Sequence, residues 1–315
     1  MSQYLNDLLS RYQVRRNQTQ KDAFIAYARE VAKSAGYELK EEALGNSFSP
    51  SRNLIAGDVE KAKVIFTAHY DTCAEMPLPN LIYPQSFLIT LLAQMPLVLG
   101  MLALSFGAAY LARGLGRGGM LMVWYIVYFA LFALIYFGPS NPRTANDNTS
   151  GVAALMEIMH ALPEDIKRDA AFIFFDQEEK GRVGSKAYAK AHPGITDGKT
   201  LLNLDCVGDG DDFLIIAPRE ADAGLNALLK AAFRDENGKR AIHVSARNTH
   251  YNSDQKSFPN GTAAAACRKG RLGYHVPRIH TRRDVICEES NLKYVTACAI
   301  RLTQLAAKMQ PEEKK

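Results

Sequence analysis

The sequence has few cysteines and no pattern that would pair them. The five thiols are odd in number and none stands in CxxC spacing, which argues against a disulfide framework and predicts an intracellular protein. A basic arm is missing too, because the net charge is only +5 and both signs are mixed along the chain. No nucleic-acid partner is therefore expected. The first twenty residues are polar, without the apolar run of a secretory signal peptide.

Charged residues are missing from two long stretches, 76–112 and 118–142. The apolar runs inside them, 86–111 and 120–137, would measure about 39 and about 27 Å as helices, close to the thickness of a hydrocarbon core. The sequence therefore predicts two membrane-spanning helices joined by a short, positively charged turn. A buried hairpin or a dimerisation arm in a soluble protein is the alternative.

We expect this hairpin to interrupt a single α/β domain. The inserted unit covers 77–143 and separates a first segment, 1–76, from a second, 144–315. Small residues recur every seven positions in the first run, forming a stripe against which the second helix could pack: Ala93, Gly100 and Gly107. The chain could also form a homo-oligomer, although no sequence motif indicates its oligomeric state.

A hairpin leaves both of its flanks on one side of the membrane. Moving the polar segment before the first span across a bilayer without a signal would be difficult, which favours a cytoplasmic domain. Arg113 and Arg117 at the tip argue mildly the other way. We expect a two-span protein of the bacterial inner membrane that contacts lipid through 86–137, with its α/β domain in the cytoplasm.

Outside the hairpin, short apolar runs typical of buried strands alternate with helical patterns. Strands are predicted at 63–68, 171–175, 201–205 and 213–217, and helices at 18–35, 150–162, 221–233 and 290–308. This order predicts an α/β fold with a mixed, largely parallel sheet and helices on both faces. In such sheets functional groups collect beyond the carboxyl ends of the strands.

Metal-ligand types stand at those strand ends. His69 and Asp71 follow the first strand, Glu178 and Glu179 follow the second, and Asp205 follows the third. An Asn-Asp-Asn-Thr-Ser-Gly run opens one helix, and an Ile-His-Thr run stands near the end of the chain. Each fragment alone also suits a turn, a helix cap or a solvated face. Together, so many clustered carboxylates would repel one another unless cations were present.

The ordered motifs AHYDT, NDNTSGV, DQEEKGRVGS, NLDCVG and IHT resemble the di-zinc aminopeptidases of the bacterial leucyl aminopeptidase and aminopeptidase Y type. That family also includes glutamate carboxypeptidases and glutaminyl cyclases. The resemblance covers about 18–305 without the hairpin, and it implies a zinc exopeptidase-like fold.

The resemblance also implies a role for each matching residue. His69 and Asp205 would bind one zinc, Glu179 and His280 the other, Asp147 would bridge them, Glu178 would be the general base, and Asp71 would hold the ring of His69. Two such cations would be balanced by three carboxylates and a bridging hydroxide, so the site could be buried without net charge. Zinc suits these ligands, with cobalt or manganese as alternatives.

The implied activity is removal of amino-terminal residues from peptides by the bridging hydroxide. A carboxypeptidase, a dipeptidase, a glutaminyl-cyclase-like enzyme, or a non-catalytic membrane receptor or scaffold remain alternatives. The region around the Ile-His-Thr run is basic and could meet lipid headgroups or a substrate carboxylate, or could simply form a solvated face: Arg268, Lys269, Arg271, Arg278, Arg282 and Arg283.

Overall fold

The computed structural model describes residues 2–46 and 49–309. The final six positions of the predicted 144–315 segment lie outside the described residues. The helices are α1 (Gln3–Arg11), α2 (Gln18–Ser34), α3 (Phe87–Leu111), α4 (Gly116–Phe137), α5 (Gly151–Ala161), α6 (Val183–Ala191), α7 (Ala223–Ala232) and α8 (Glu289–Lys308). The strands are β1 (Leu39–Asn46), β2 (Ser49–Ala56), β3 (Val64–His69), β4 (Ala170–Phe175), β5 (Thr200–Leu204), β6 (Asp212–Ala217), β7 (Arg240–Ser245), β8 (Gly261–Gly270) and β9 (Gly273–His275).

The described strands form one mixed sheet in the order β1-β2-β4-β3-β5-β8-β6-β7, with β9 paired to β8. Its centre is parallel: β4, β3, β5 and β8 run in the same direction. The hairpin of β1 and β2 joins one side antiparallel, and β6 joins the other side antiparallel to β8. This topology confirms the predicted α/β class, and it puts the carboxyl ends of β3, β4 and β5 at one edge.

Two apolar layers cover the central strands, because their residues are apolar on both faces. One layer packs Phe24 of α2, Leu155 of α5 and Leu302 of α8 against Phe66 and Phe172 of the sheet. The opposite layer packs Tyr188 of α6 and Phe258 against the other side of the same strands. The central strands are fully buried as a result, and their ends are held in fixed positions.

The hairpin projects from this domain as two adjacent helices. Both α3 and α4 are long and apolar enough to cross a membrane, and almost none of their surface is buried by the rest of the protein. The predicted small-residue stripe is wrong as a contact face, since a Cβ added at Gly100 or Gly107 would meet nothing within 4 Å. The buried positions of α3 are instead Met101, Ser105 and Ala109, one helical turn apart.

Candidate metal centre

The structure brings the candidate ligands together at the carboxyl edge of the parallel strands. His69 ends β3, Asp205 follows β5, and Glu179 stands in the turn after β4. Asp147 lies in an irregular turn just before α5, and His280 lies in the loop after β9. Five side chains from five distant parts of the chain therefore face one another.

Asp147 lies between the two histidines. Its Oδ1 is 3.3 Å from His69 Nε2, and its Oδ2 is 2.9 Å from His280 Nε2. The outer carboxylates complete the row, with Asp205 Oδ1 at 3.8 Å from His69 Nε2 and Glu179 Oε2 at 3.3 Å from His280 Nε2. Each oxygen of the Asp147 carboxylate thus faces one of the two histidines. A ligand that bridges two cations requires this arrangement.

The donor set fits two divalent cations. Ligand atoms of His69, Asp147 and Asp205 lie within 4.8 Å of one another, and so do those of Glu179, His280 and Cys73. Among the described residues nothing donates a hydrogen bond to the buried Glu179 Oε1, so this oxygen has a coordination position to fill. Imidazole and carboxylate ligands are those of zinc enzymes. Cys73, four residues after His69, belongs to this second group of donors.

Asp71 organises the first ligand and the glutamate turn together. His69 Nδ1 lies 3.1 Å from the main-chain oxygen of Asp71 and 3.5 Å from its Oδ1. The same carboxylate accepts hydrogen bonds from the main-chain N–H groups of Glu178, at 2.9 Å, and Glu179, at 3.3 Å. The two glutamates stand in a turn after Gln177, which has φ 55°, and not directly at the end of β4 as the sequence suggested.

Asp284 supports Asp147 from behind, a role that sequence reasoning missed. Its Oδ1 accepts from the main-chain N–H of Asn146 at 2.7 Å, and its Oδ2 from that of Asp147 at 3.0 Å. Asn148 secures the other side, where its Oδ1 accepts from the main-chain N–H of Cys206 at 3.2 Å. The only signal in the sequence was the position of Asp284, four residues after His280 in the same loop.

Burial and mutual repulsion set the electrostatics of the acids. Burial raises the pKa of Glu179 to about 8 and that of Glu178 well above its ordinary value. Burial works against the charge on Asp147 as well, but hydrogen bonds from His280 and His69 lower the pKa of its carboxyl. The pKa values of Glu178 and Glu179 are thus raised, whereas that of Asp147 is lowered. Neighbouring acids with such different pKa values are suited to different tasks.

A cavity of about 420 Å³ opens onto these residues. Glu178 lines it beside the candidate ligands, and Tyr251 closes one side, its hydroxyl donating to the main-chain oxygen of Asp205 at 3.1 Å. Ile135 and Tyr136, from the last turn of α4, line it as well. The hairpin is therefore one wall of the cavity.

Three of the basic residues near the last motif are paired with acids of the protein. Arg268 contacts Asp209 at 2.7 Å, and Arg278 bonds to the other oxygen of the same buried carboxylate. Arg282 donates to Glu75 at 2.7 Å. These acid partners account for three of the basic residues, whereas Lys269, Arg271 and Arg283 of the same stretch are exposed.

Clustered histidines and carboxylates at the carboxyl edge of a parallel-centred α/β sheet suit a metal-dependent enzyme. The model of peptidase family M28 matches residues 128–303, more than half of the chain, so the protein belongs to peptidase family M28. The match begins inside α4 and includes Asp147, Glu178, Glu179, Asp205 and His280. A comparison with curated protein sequences finds no match.

Solved structures share the fold at low identity. Glutaminyl cyclase of Porphyromonas gingivalis has a TM-score of 0.61 and 18% identity, with 96% of both chains covered. The aminopeptidase LapA of Legionella pneumophila has a TM-score of 0.58 and 14% identity, covering 98% of this chain and 70% of that one. Glutaminyl cyclase of Macrostomum lignano has a TM-score of 0.57 and 14% identity, covering 98% and 90%. At such identities the likeness shows the fold alone.

Proposed function

We propose that the protein is a membrane-anchored, zinc-dependent aminopeptidase. His69 and Asp205 would hold one cation, Glu179 and His280 the other, and Asp147 would bridge them. The observation that carries this proposal is the position of Asp147, whose two oxygens face Nε2 of His69 at 3.3 Å and Nε2 of His280 at 2.9 Å. Each half of the site also has its own outer carboxylate.

Two divalent cations held there would activate a water molecule and polarise the carbonyl of the scissile peptide bond. Glu178 lines the cavity beside the ligands, so its carboxylate can take a proton from the attacking water and deliver it to the leaving amine. Burial raises the pKa of Glu178 in the metal-free protein, and two cations beside it would lower that pKa again, which leaves the carboxylate free to accept the proton. Asp71 keeps both the His69 ring and the Glu178 turn in place.

The inserted segment 77–143 would anchor this domain in a bilayer through α3 and α4, with the domain on the cytoplasmic side. Their exposed apolar surface supports the anchor, and the contribution of Ile135 and Tyr136 to the cavity wall supports a cleft next to the lipid. The substrate in this proposal is a peptide whose amino terminus lies at the membrane interface.

The test is a metal assay combined with a substrate panel on the full-length protein in lipid nanodiscs. Peptides with free amino termini, blocked amino termini and amino-terminal glutamine separate aminopeptidase, carboxypeptidase and cyclase activities. Each is offered in soluble and in lipid-anchored form. Two equivalents of zinc, cleavage of free amino termini and preference for the anchored form are expected. If the protein binds zinc but turns over none of these peptides, the result would favour a non-catalytic receptor or scaffold.

Two variants test the assigned roles. Glu178→Gln should keep both metals and lose roughly 10²–10⁴ in turnover, because only the proton transfer is removed. Asp147→Ala should instead lose metal, since both halves of the site share its carboxylate. The exposed Glu164, paired with Lys167, provides the matched control Glu164→Gln. Full activity in Glu178→Gln would remove that residue from the mechanism.

A further inference from the structure

Helix α3 contains an amide side chain in a position where lipid could not satisfy it. Gln94 lies seven residues after Phe87, about 10 Å along the helix axis. A polar group on a helix surrounded by lipid needs a protein partner. Gln94 Nε2 donates to Asn80 Oδ1 at 2.7 Å and is 3.3 Å from the main-chain oxygen of Leu81. Its partners therefore belong to the segment that connects the α/β domain to the hairpin.

Asn80 in turn contacts the loop that carries a candidate ligand. Its Nδ2 lies 3.5 Å from His280 Nδ1, and its main-chain N–H donates to the oxygen of Ile279 at 3.3 Å. The two loops are joined further by hydrogen bonds from Met76 N–H to the His280 oxygen, at 2.7 Å, and from Val276 N–H to the Ile82 oxygen, at 2.9 Å. Asn80 is thus held against the His280 ring by its own backbone.

The two candidate histidine ligands have different outer partners. A metal-bound imidazole nearly always donates its second N–H to an acceptor, which orients the ring. His69 has Asp71 for this purpose. Among the described residues, the polar side chain next to His280 Nδ1 is Asn80. His280 also has a left-handed backbone, φ 63°, which is unusual outside glycine, so its ring depends on outside support.

We infer that Asn80 and Gln94 position His280 for metal binding, which makes the membrane hairpin part of the metal site. This inference rests on the proposed function. With a cation on Nε2, His280 Nδ1 carries the proton, so Asn80 presents Oδ1 to the ring and its Nδ2 to Gln94 Oε1. Both amides reach this state by a half-turn about their terminal bonds, which keeps the Gln94–Asn80 and Asn80–His280 contacts and gives up the contact of Gln94 Nε2 with the Leu81 oxygen.

The experiment is a Co²⁺ titration of full-length protein in lipid nanodiscs, followed by its visible ligand-field spectrum and by metal content. Asn80→Ala and Gln94→Leu should weaken the binding of one of the two Co²⁺ ions by about 10–100-fold and alter its spectrum. Asn80→Asp should retain binding, because it still offers an oxygen to the ring. Gln94→Leu suits the bilayer, so its effect cannot come from failed insertion.

Ser105→Ala is the matched control, because Ser105 is polar, lies in the same helix and donates only to the Met101 oxygen of its own helix, at 2.8 Å. It should bind both ions as the unaltered protein does. Wild-type affinity and spectrum in both Asn80→Ala and Gln94→Leu would overturn the inference while leaving the proposed function intact. If Asn80→Ala does not fold, Gln94→Leu decides alone. Fewer than two Co²⁺ ions on the unaltered protein would overturn both proposals together.

Discussion

At the scale of single residues, Glu179 and His280 form a pair whose pKa values are both raised where a cation would bind. Burial raises the pKa of Glu179 to about 8. The pKa of His280 is raised to about 9, because Glu179 and Asp147 stabilise its charge more than burial opposes it. Metal-free protein therefore holds a proton within this pair at pH 7.

Metal uptake should release this proton. Because each raised pKa favours the protonated form below about 8–9, cation affinity should rise as the pH increases from about 6 to about 9 and then level off. Calorimetric titration in buffers of different ionisation enthalpy measures the protons released. Affinity that stays constant over this interval would contradict the electrostatics assigned to this pair.

At the scale of elements, Arg16 connects the start of α2 to the end of α4. Its Nη2 donates to the main-chain oxygen of Tyr136 at 2.7 Å, and its Nη1 donates to that of Gly138. These are carbonyls that the last turn of a helix leaves without partners, and a cation also interacts favourably with that end. The cavity wall formed by Ile135 and Tyr136 is therefore anchored by one side chain.

Arg16→Ala should loosen the last turn of α4. A loss of about 1–2 kcal/mol is expected, which lowers hydrogen-exchange protection of the amides near Tyr136 by roughly 5–30-fold. Mass spectrometry of exchanged peptides measures this directly. The exposed Arg143, beyond the same helix, gives the control Arg143→Ala, which should leave protection unchanged. Equal protection in both variants would mean that Arg16 does not hold the helix.

At the scale of the whole molecule, the α/β domain and the hairpin differ in where their apolar residues lie. The α/β domain buries its apolar residues, whereas α3 and α4 expose large apolar side chains along their length, including Leu99, Leu104, Phe129 and Leu134. Contiguous apolar surface of this size requires a lipid or protein cover. In the proposed bilayer anchor, the charges at the tip would lie on the opposite side of the bilayer from the candidate metal centre.

Cysteine labelling in membrane vesicles tests this arrangement. Leu104→Cys, in the middle of α3, should be protected from a membrane-impermeant maleimide. Gly114→Cys, at the tip, should react only from the side opposite the α/β domain. Four of the five native cysteines are buried, which keeps background labelling low. Rapid labelling of Leu104→Cys would count against a spanning hairpin and favour a soluble arm.

Particular elements explain which parts of the fold were predictable. The strands β3, β4, β5 and β6 carry branched or aromatic runs, and each begins within one residue of its prediction. Central strand β8 was missed because Ala263–Ala266 have low strand propensity and no alternation. Small side chains suit its position between β5 and β6, where all four are fully buried. That requirement arises from neighbouring strands distant in sequence.

The sequence by itself determined the α/β class, the apolar hairpin and the residue types of the metal centre, because periodicity, charge and local motifs are written in adjacent residues. Only the tertiary structure decided the partners of those residues. Asp284 behind Asp147, Asn80 against His280 and Gln94 reaching from the hairpin are contacts between segments far apart in the chain. Their geometry depends on how the sheet and loops pack, so no local pattern could have indicated them.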